Sequence, residues 1–131
     1  DESHPHGTRA VREDIAFLIS SILSDKAARY QEFLPGNPLE QAFPAAAKTG
    51  TTDNFKDNWT MGYTPNLVVG VWSGNNNGAL MKDVIGITGA GPIWHDLMAY
   101  ATQRYHLPPD DFIRPSDVHS GTVSASTGLQ R

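Results

Sequence analysis

The feature that most narrows what this chain can fold into is a pair of strand-like runs with only Pro65-Asn66 between them. In the first, Trp59, Met61 and Tyr63 alternate with Thr60, Gly62 and Thr64, the period of a half-buried strand. The second, Leu67-Val68-Val69-Gly70-Val71-Trp72, is apolar on both faces, as a central strand would be. Pro65-Asn66 reads as a tight turn, so the two runs pair antiparallel. A third run, roughly Ala45 to Thr52, precedes them across Asp53-Asn54-Phe55-Lys56-Asp57, a turn rich in acidic and amide groups. The expectation is a three-stranded antiparallel meander that starts with the Ala45–Thr52 run.

Helical patterns flank the meander. Asp14 is expected to cap a helix that begins at Ile15, where Ile15, Leu18, Ile19 and Ile22 fall on one apolar face. Ser24-Asp25 offers a second cap for a piece from Lys26 to Phe33, with Ala27, Tyr30 and Phe33 or Leu34 inward, and Pro35-Gly36-Asn37-Pro38 stops it. After the meander, Ser73 to Gly78 and a loop through Met81, Val84 and Ile87 lead to Thr88-Gly89-Ala90-Gly91-Pro92. Pro92 suits the first position of a helix. Trp94, Leu97, Met98, Ala101 and Tyr105 then form a stripe that ends at Pro108-Pro109. Both helical elements are expected on one side of the sheet, an α+β arrangement. Residues 1–13 read as a flexible segment, 14–105 as the structured unit, and 106–131 as a linker with one short strand, Thr122 to Ser126, or the start of a further C-terminal segment. No internal repeat is present.

Composition removes several function classes. Of 131 residues, 39% are apolar and 18% charged, an ordinary globular balance. The net charge of −4, without a basic run, argues against nucleic acid and anionic membrane surfaces as partners. There is no cysteine, hence no disulfide framework or thiolate metal site. No apolar run approaches the length of a membrane span. The chain opens on Asp1 and stops at Gly128-Leu129-Gln130-Arg131, so a piece of something longer is expected.

The first strand carries the candidate chemistry in Ala46-Ala47-Lys48-Thr49-Gly50-Thr51-Thr52. Small side chains and one glycine leave the backbone open to an extended ligand that pairs with its N–H and C=O groups. Lys48 adds a charge for a carboxylate, and Thr49, Thr51 and Thr52 add short neutral donors. The combination points to an anionic, peptide-like ligand. Other candidates have plainer readings. Trp59, Trp72 and Trp94 form a possible carbohydrate-stacking set, but inward positions in the core explain them better. Asp53 and Asp57 suit a turn better than an acid/base or metal pair. His95 reads as an exposed helical histidine, and His4 and His6 lack metal-ligand partners at convincing spacing.

Lys48-Thr49-Gly50 matches the K-T-G element of active-serine penicillin-binding proteins and β-lactamases. The continuation through Asn58-Trp59, then Gly62-Tyr63-Thr64-Pro65, Val71-Trp72-Ser73-Gly74-Asn75-Asn76 and Thr88-Gly89-Ala90-Gly91-Pro92-Ile93-Trp94, resembles the C-terminal part of the transpeptidase domain of class A penicillin-binding proteins. The likeness runs from about residue 12 to residue 105. It implies a partial penicillin-binding, β-lactamase-like fold and a role in cross-linking peptidoglycan, with glycosyltransferase activity elsewhere in a membrane-anchored parent. The partners it implies are D-Ala–D-Ala stem peptides and β-lactams, outside the cytoplasm and without metal or cofactor. Lys48 would orient the terminal carboxylate, Thr49 and Thr51 would hydrogen-bond it, Gly50 would leave room for the ligand backbone, and the Thr51 N–H would serve as an oxyanion donor.

The sequence departs from that pattern in one respect. No serine is followed three residues later by lysine, and Ser73-Gly74-Asn75 comes after K-T-G rather than before it. The nucleophile pair and the proton shuttle are therefore expected in a missing N-terminal half of the domain, and this chain alone should not turn over. Two other readings compete. A non-catalytic peptide- or protein-binding module without catalytic history would bind partners at its sheet edge, and as a natural module it should show a protected edge. A β-lactamase remnant would need hydrolytic machinery. A fragment is instead expected to show an unpaired edge at or near the lysine strand, hidden in some cases by homo-oligomerisation.

Overall fold

A computed structural model describes residues 8–124 and 126–129. Two short helices, α1 (Glu13–Ser24) and α2 (Lys26–Arg29), come first. Then come β1 (Ala46–Thr51), β2 (Asp57–Thr64) and β3 (Leu67–Gly74), and a long helix, α3 (Ala90–Arg104). The sheet is an antiparallel meander in the order β1-β2-β3. The α+β class and the three-stranded meander are as expected, and the architecture is consistent with part of a transpeptidase fold.

The faces are not as expected. Register places Ala47, Thr49 and Thr51 of β1 beside Gly62, Thr60 and Asn58 of β2, and these beside Val69, Val71 and Ser73 of β3. That face meets α3. The Trp94 indole lies so close over Gly62 that a Cβ there would stand 2.2 Å from its Cζ2. Asn58, Thr60 and Gly62 are buried, while Trp59, Met61 and Trp72 stand on the opposite face, each more than two-fifths exposed. The alternation of β2 is right and its sense is inverted. The reason is close approach: Trp94 fills the space above Gly62 and donates its Nε1–H to the Val69 carbonyl at 3.2 Å, so the strand must turn its small residues inward. Of the three tryptophans expected in the core, only Trp94 is there.

The helices also divide. Helix α3 packs on β2 and β3, whereas α1 packs on β1 and reaches the other face, where Ser20 Oγ and Tyr63 Oη lie 2.9 Å apart. They do not share one side of the sheet. Helix α1 inserts Phe17, Ser20 and Leu23, and its expected apolar face is exposed: Ile15, Leu18, Ile19 and Ile22 keep 45–66% of their surface in water. Asp14 lies in the first turn rather than at the cap, because the Arg12 side chain engages its carboxylate, Nε to Oδ1 at 3.1 Å. Asp25 caps α2 as expected, accepting from the Ala28 N–H at 3.0 Å. That helix stops at Arg29; Phe33 reaches the core, while Ala27, Tyr30 and Leu34 are exposed.

Helix α3 begins at Ala90, two residues before Pro92, and buries Ala90, Gly91, Trp94 and Met98, leaving Leu97 and Tyr105 exposed. It ends before Pro108 because His106 adopts a left-handed conformation (φ 51°) and closes the last turn. Leu107 N–H bonds Thr102 O at 3.0 Å, and His106 N–H bonds Gln103 O at 3.2 Å. Residues 110–114 fold back onto the α1 side. Asn66 donates to the Asp110 carboxylate, Phe112 meets the Tyr63 ring edge-on, and Arg114 lies over the Phe17 ring. In the expected strand Thr122 to Ser126, Val123 makes a single bridge pairing; Ala125 lies outside the described residues, as do His4 and His6.

The buried apolar residues among those described are Leu39, Ala45, Ala46, Ala47, Val71, Ala90, Trp94 and Met98. Half are alanines, so much of the core is Trp94 and Met98 against the sheet. Among the described residues no helix is long and apolar enough to cross a membrane.

Candidate functional site

The geometry of β1 follows from the hairpin beside it. The Pro65-Asn66 turn pairs Thr64 with Leu67, and residues flanking a two-residue hairpin loop form a hydrogen-bonded pair. Every second residue back from Thr64 therefore directs its backbone groups to β3. Tyr63, Met61 and Trp59 direct theirs to β1, where Ala46, Lys48 and Gly50 oppose them. The N–H and C=O groups of Ala47, Thr49 and Thr51 are left along the outer side of β1, which no strand pairs among the described residues. In keeping with this, Lys48 Nζ donates to the Thr49 carbonyl at 2.6 Å.

The side chains divide by strand parity. Lys48 and Gly50 stand on the face away from α3, both exposed. A Cβ built on Gly50 would meet no atom within 4 Å, so no crowding inside this chain requires a glycine there. Among the described residues no carboxylate pairs with Lys48. Thr49 and Thr51 stand on the α3 face, where Gly86 sits over them. Thr51 Oγ1 accepts the Gly86 N–H at 3.0 Å, and a Cβ on Gly86 would come within 2.9 Å of Thr49 Cβ. An accepting hydroxyl keeps its own O–H, so Thr51 still has a proton to donate. Thr52 differs from its expected role. Its hydroxyl accepts the Asp57 N–H at 2.9 Å and donates to the Asp57 carbonyl at 3.1 Å, closing the β1–β2 turn.

A groove of about 250 Å³ runs along β1 between the strand and α1–α2, lined among others by Ile22, Ala28, Phe33, Leu39, Lys48 and Thr49. Arg29 on its helical wall is committed, as is Lys26 on the same helix outside the groove. Arg29 donates to the Leu39 and Leu23 carbonyls at 3.2 and 2.6 Å, and Lys26 to the Gln41 carbonyl at 2.7 Å. Burial pushes the Arg29 pKa down from its ordinary value, an effect that nearby Glu40 and Asp25 oppose. The Lys48 ammonium also bonds a carbonyl, but that of its own neighbour Thr49; it is exposed and pairs with no carboxylate among the described residues, so an anion in the groove can reach it.

The remaining candidates lie elsewhere. Ser73 is on β3, two strands from Thr51, about 10 Å by strand spacing. Asp57 accepts the Trp72 Nε1–H at 3.1 Å, and Asp53 opens the exposed turn after Thr52. His95 contacts Asp96 on α3, 3.0 Å from Nδ1 to Oδ1, in a different pocket from Lys48. The glycine-rich stretch before α3 has no free donors to offer. Thr88 and Gly89 N–H bond Ile85 O, Gly91 N–H bonds Gly86 O, and Ala90 N–H bonds Asn58 Oδ1 at 2.8 Å. Sequence reasoning missed Asn58, the buried cap of α3, and Gly86, the residue that seats Thr49 and Thr51. Asn58 left a signal: it opens the β2 alternation on the side that turned out to be buried.

The fold and strand together define an α+β segment whose exposed edge strand presents a lysine, a glycine and two threonines. Among curated proteins the chain is similar to penicillin-binding protein 1A of Aquifex aeolicus, 44% identical over 82 residues that cover 56% of this chain and 11% of the relative. Against penicillin-binding protein 1C of Escherichia coli the identity is 30% over 108 residues, 82% of this chain and 13% of the relative. Against penicillin-binding protein 1B of the same organism it is 28% over 134 residues, 98% of this chain and 15% of the relative. No protein-family model matches. The chain is thus a homologue of penicillin-binding proteins 1A, 1B and 1C, and its match is consistent with a fragment of their transpeptidase region. It spans between a tenth and a sixth of their length.

Proposed function

We propose that this chain is the substrate-binding side of a serine DD-transpeptidase domain acting in peptidoglycan synthesis, with residues 14–105 as the C-terminal part of that domain. The observation that carries the reading is the edge of β1, which no strand pairs among the described residues, with nothing within 4 Å of a Cβ built on Gly50 and a Lys48 ammonium that meets no carboxylate there. A stem peptide ending in D-Ala–D-Ala, or a β-lactam, would lie along that edge and pair with the Thr49 and Thr51 backbone. Lys48 would leave the Thr49 carbonyl for the ligand's carboxylate, since an ion pair is stronger than a neutral acceptor. The Thr49 and Thr51 hydroxyls would donate to the same carboxylate, with Gly86 fixing the Thr51 rotamer. The Thr51 N–H, on the outer edge, would face the developing oxyanion, a contribution of about 3 kcal/mol to the barrier. Thr52 would hold the turn.

Acyl transfer also needs a nucleophile. No serine here has the lysine partner that would activate it, so both groups would come from polypeptide in the other part of the domain. The parent would be membrane-anchored with this part outside the cytoplasm. The test is intact mass after incubation with a reactive penicillin, for the chain alone and with the N-terminal remainder of a relative's transpeptidase domain added. The expected result is no adduct alone, and an adduct on the added half only when both are present. A stoichiometric adduct on this chain by itself would overturn the account of the missing nucleophile. A formed complex that takes no penicillin would favour a plain peptide-binding edge.

A further inference from the structure

Thr60 is fully buried on the sheet face that meets α3, and packing alone does not explain its hydroxyl. A valine would fill the same space without a polar atom to satisfy, whereas a buried hydroxyl costs free energy unless it is hydrogen-bonded. The partner of this one is the Gly86 carbonyl, which accepts the Thr60 hydroxyl at 3.2 Å. The same carbonyl accepts the Gly91 N–H, from the first turn of α3, at 2.8 Å, so both of its lone pairs are used. On its other side Gly86 donates its N–H to Thr51 Oγ1 at 3.0 Å. One residue is thus pinned from β2 and from α3, and its amide in turn pins a side chain of β1. Nothing larger than glycine fits there: a Cβ on Gly86 would stand 2.9 Å from Thr49 Cβ and 3.2 Å from the Gly50 carbonyl oxygen.

The arrangement bears on the candidate site through Thr51. That residue is exposed, and accepting the Gly86 amide fixes where its oxygen sits while leaving its one proton to donate. A hydroxyl that accepts one bond is polarised by it and donates the next more strongly. Thr60 is also the cross-strand partner of Thr49, so it stands beneath the other threonine of the strand. We propose that Thr60 is a positioning residue for the Lys48 strand: it holds Gly86 by the carbonyl, and Gly86 holds the Thr51 hydroxyl in the orientation that a ligand's carboxylate meets. It rests on the functional reading above for the identity of the ligand, and adds a buried residue that acts only through Gly86. The start of α3 joins the same set, because the Gly91 N–H shares that carbonyl with Thr60.

The test compares Thr60→Val, which keeps the shape and removes the hydroxyl, with Thr60→Ser, which keeps the hydroxyl, in the full chain followed by NMR. Without any ligand, Thr60→Val should speed exchange of the Gly86 amide about tenfold, as loss of one hydrogen bond gives. The Thr51 Hα–Hβ coupling should move toward the value of averaged rotamers, while the amides of β3 exchange at wild-type rates. Thr60→Ser should restore both signals. A Gly86 amide and a Thr51 coupling that do not move overturn the proposal. So does exchange raised equally across the sheet, which marks a threonine that serves stability alone. The second readout adds the N-terminal remainder of a relative's transpeptidase domain and a reactive penicillin. Thr60→Val should slow adduct formation at least threefold at unchanged affinity for the added half, with Thr60→Ser near wild type. Equal rates in all three proteins overturn the link to the site. A wild-type mixture that takes no penicillin sinks the transpeptidase reading, and the ligand-free signals alone then decide whether Thr60 holds Thr51.

Discussion

Replacing Gly62 with alanine should be among the most damaging one-carbon changes available in this fold. The added methyl would stand 2.2 Å from Trp94 Cζ2, 2.7 Å from Cε2 and 2.7 Å from the Ala46 carbonyl oxygen. Comfortable carbon contacts lie near 3.5–4.0 Å, so the indole must retreat by more than 1 Å. That retreat breaks the Nε1–H bond to Val69 O, worth about 1 kcal/mol net. Overpacking adds roughly 1–3 kcal/mol, for a total of about 2–4 kcal/mol. The ceiling is set by losing Trp94 outright, about 3–5 kcal/mol for a core tryptophan cut to alanine. Domains of this size hold roughly 5–15 kcal/mol, so much of the margin would go. Urea unfolding reads the effect as a lower midpoint at unchanged slope. Repeating the change in a Trp94→Phe background removes Cζ2 and should recover at least about 1 kcal/mol of the loss, a coupling expected of residues in contact. A Gly62→Ala midpoint within error of wild type would refute the reasoning. An equal loss in both backgrounds would place the limit on the Ala46 carbonyl rather than on the indole.

Three further outcomes follow from the geometry. Gly50→Ala meets nothing, so stability should stay within about 0.5 kcal/mol of wild type. Penicillin adduct formation in the two-part mixture should nevertheless slow, and equal rates would mean that no ligand lies against Gly50. Asn58→Ala strips the buried acceptor from the Ala90 N–H and should cost about 1–3 kcal/mol in urea unfolding; a loss under about 0.5 kcal/mol would mean water replaces the cap. The Arg12 guanidinium, hydrogen-bonded to it, holds the Asp14 carboxyl below the usual carboxylate value. A carboxylate depressed in the folded state stabilises above its unfolded pKa, and that contribution fades as pH falls through the folded value. Arg12→Ala should therefore raise the Asp14 titration midpoint toward the usual carboxylate value, followed by NMR, and flatten the acid limb of stability; an unmoved midpoint would reject the pairing.

What was legible in the sequence was period and punctuation. Pro65-Asn66 and the alternation on either side specified the meander, and Asp25 announced the cap of α2. The outward sense of β2 was not legible, because alternation fixes which residues share a face but not which face is covered. That choice depends on Trp94, thirty-two residues beyond Gly62 in sequence, whose indole leaves room for only a glycine at position 62. The start of α3 was misjudged for a similar reason. Pro92 is a common first helical residue, but Asn58 satisfies the Ala90 N–H from across the sheet and lets the helix begin earlier. At the candidate site, the identities of Lys48, Thr49, Gly50 and Thr51 were readable as a string. The split of their side chains between two faces, and the seating of two of them by Gly86, required the fold.

The two largest departures from expectation have a common cause. The helical spacing of Ile15, Leu18, Ile19 and Ile22, and the apolar residues of β2 at Trp59 and Met61, both read as inward, and both are exposed. Local pattern reports which residues share a face, whereas burial reports what the described residues cover. Were the patterns accidental, the exposed stripes would have no reason to converge. Instead they meet where Ile22 and Lys48 share a groove and Met61 pairs beside the lysine. The face covered by α3, by contrast, is lined with Asn58, Thr60 and Gly62, residues whose polarity or size would never have announced a core. The sheet therefore has one face completed by its own helix and one on which Trp59, Met61 and Trp72 stay exposed, and the lysine strand lies at their shared margin.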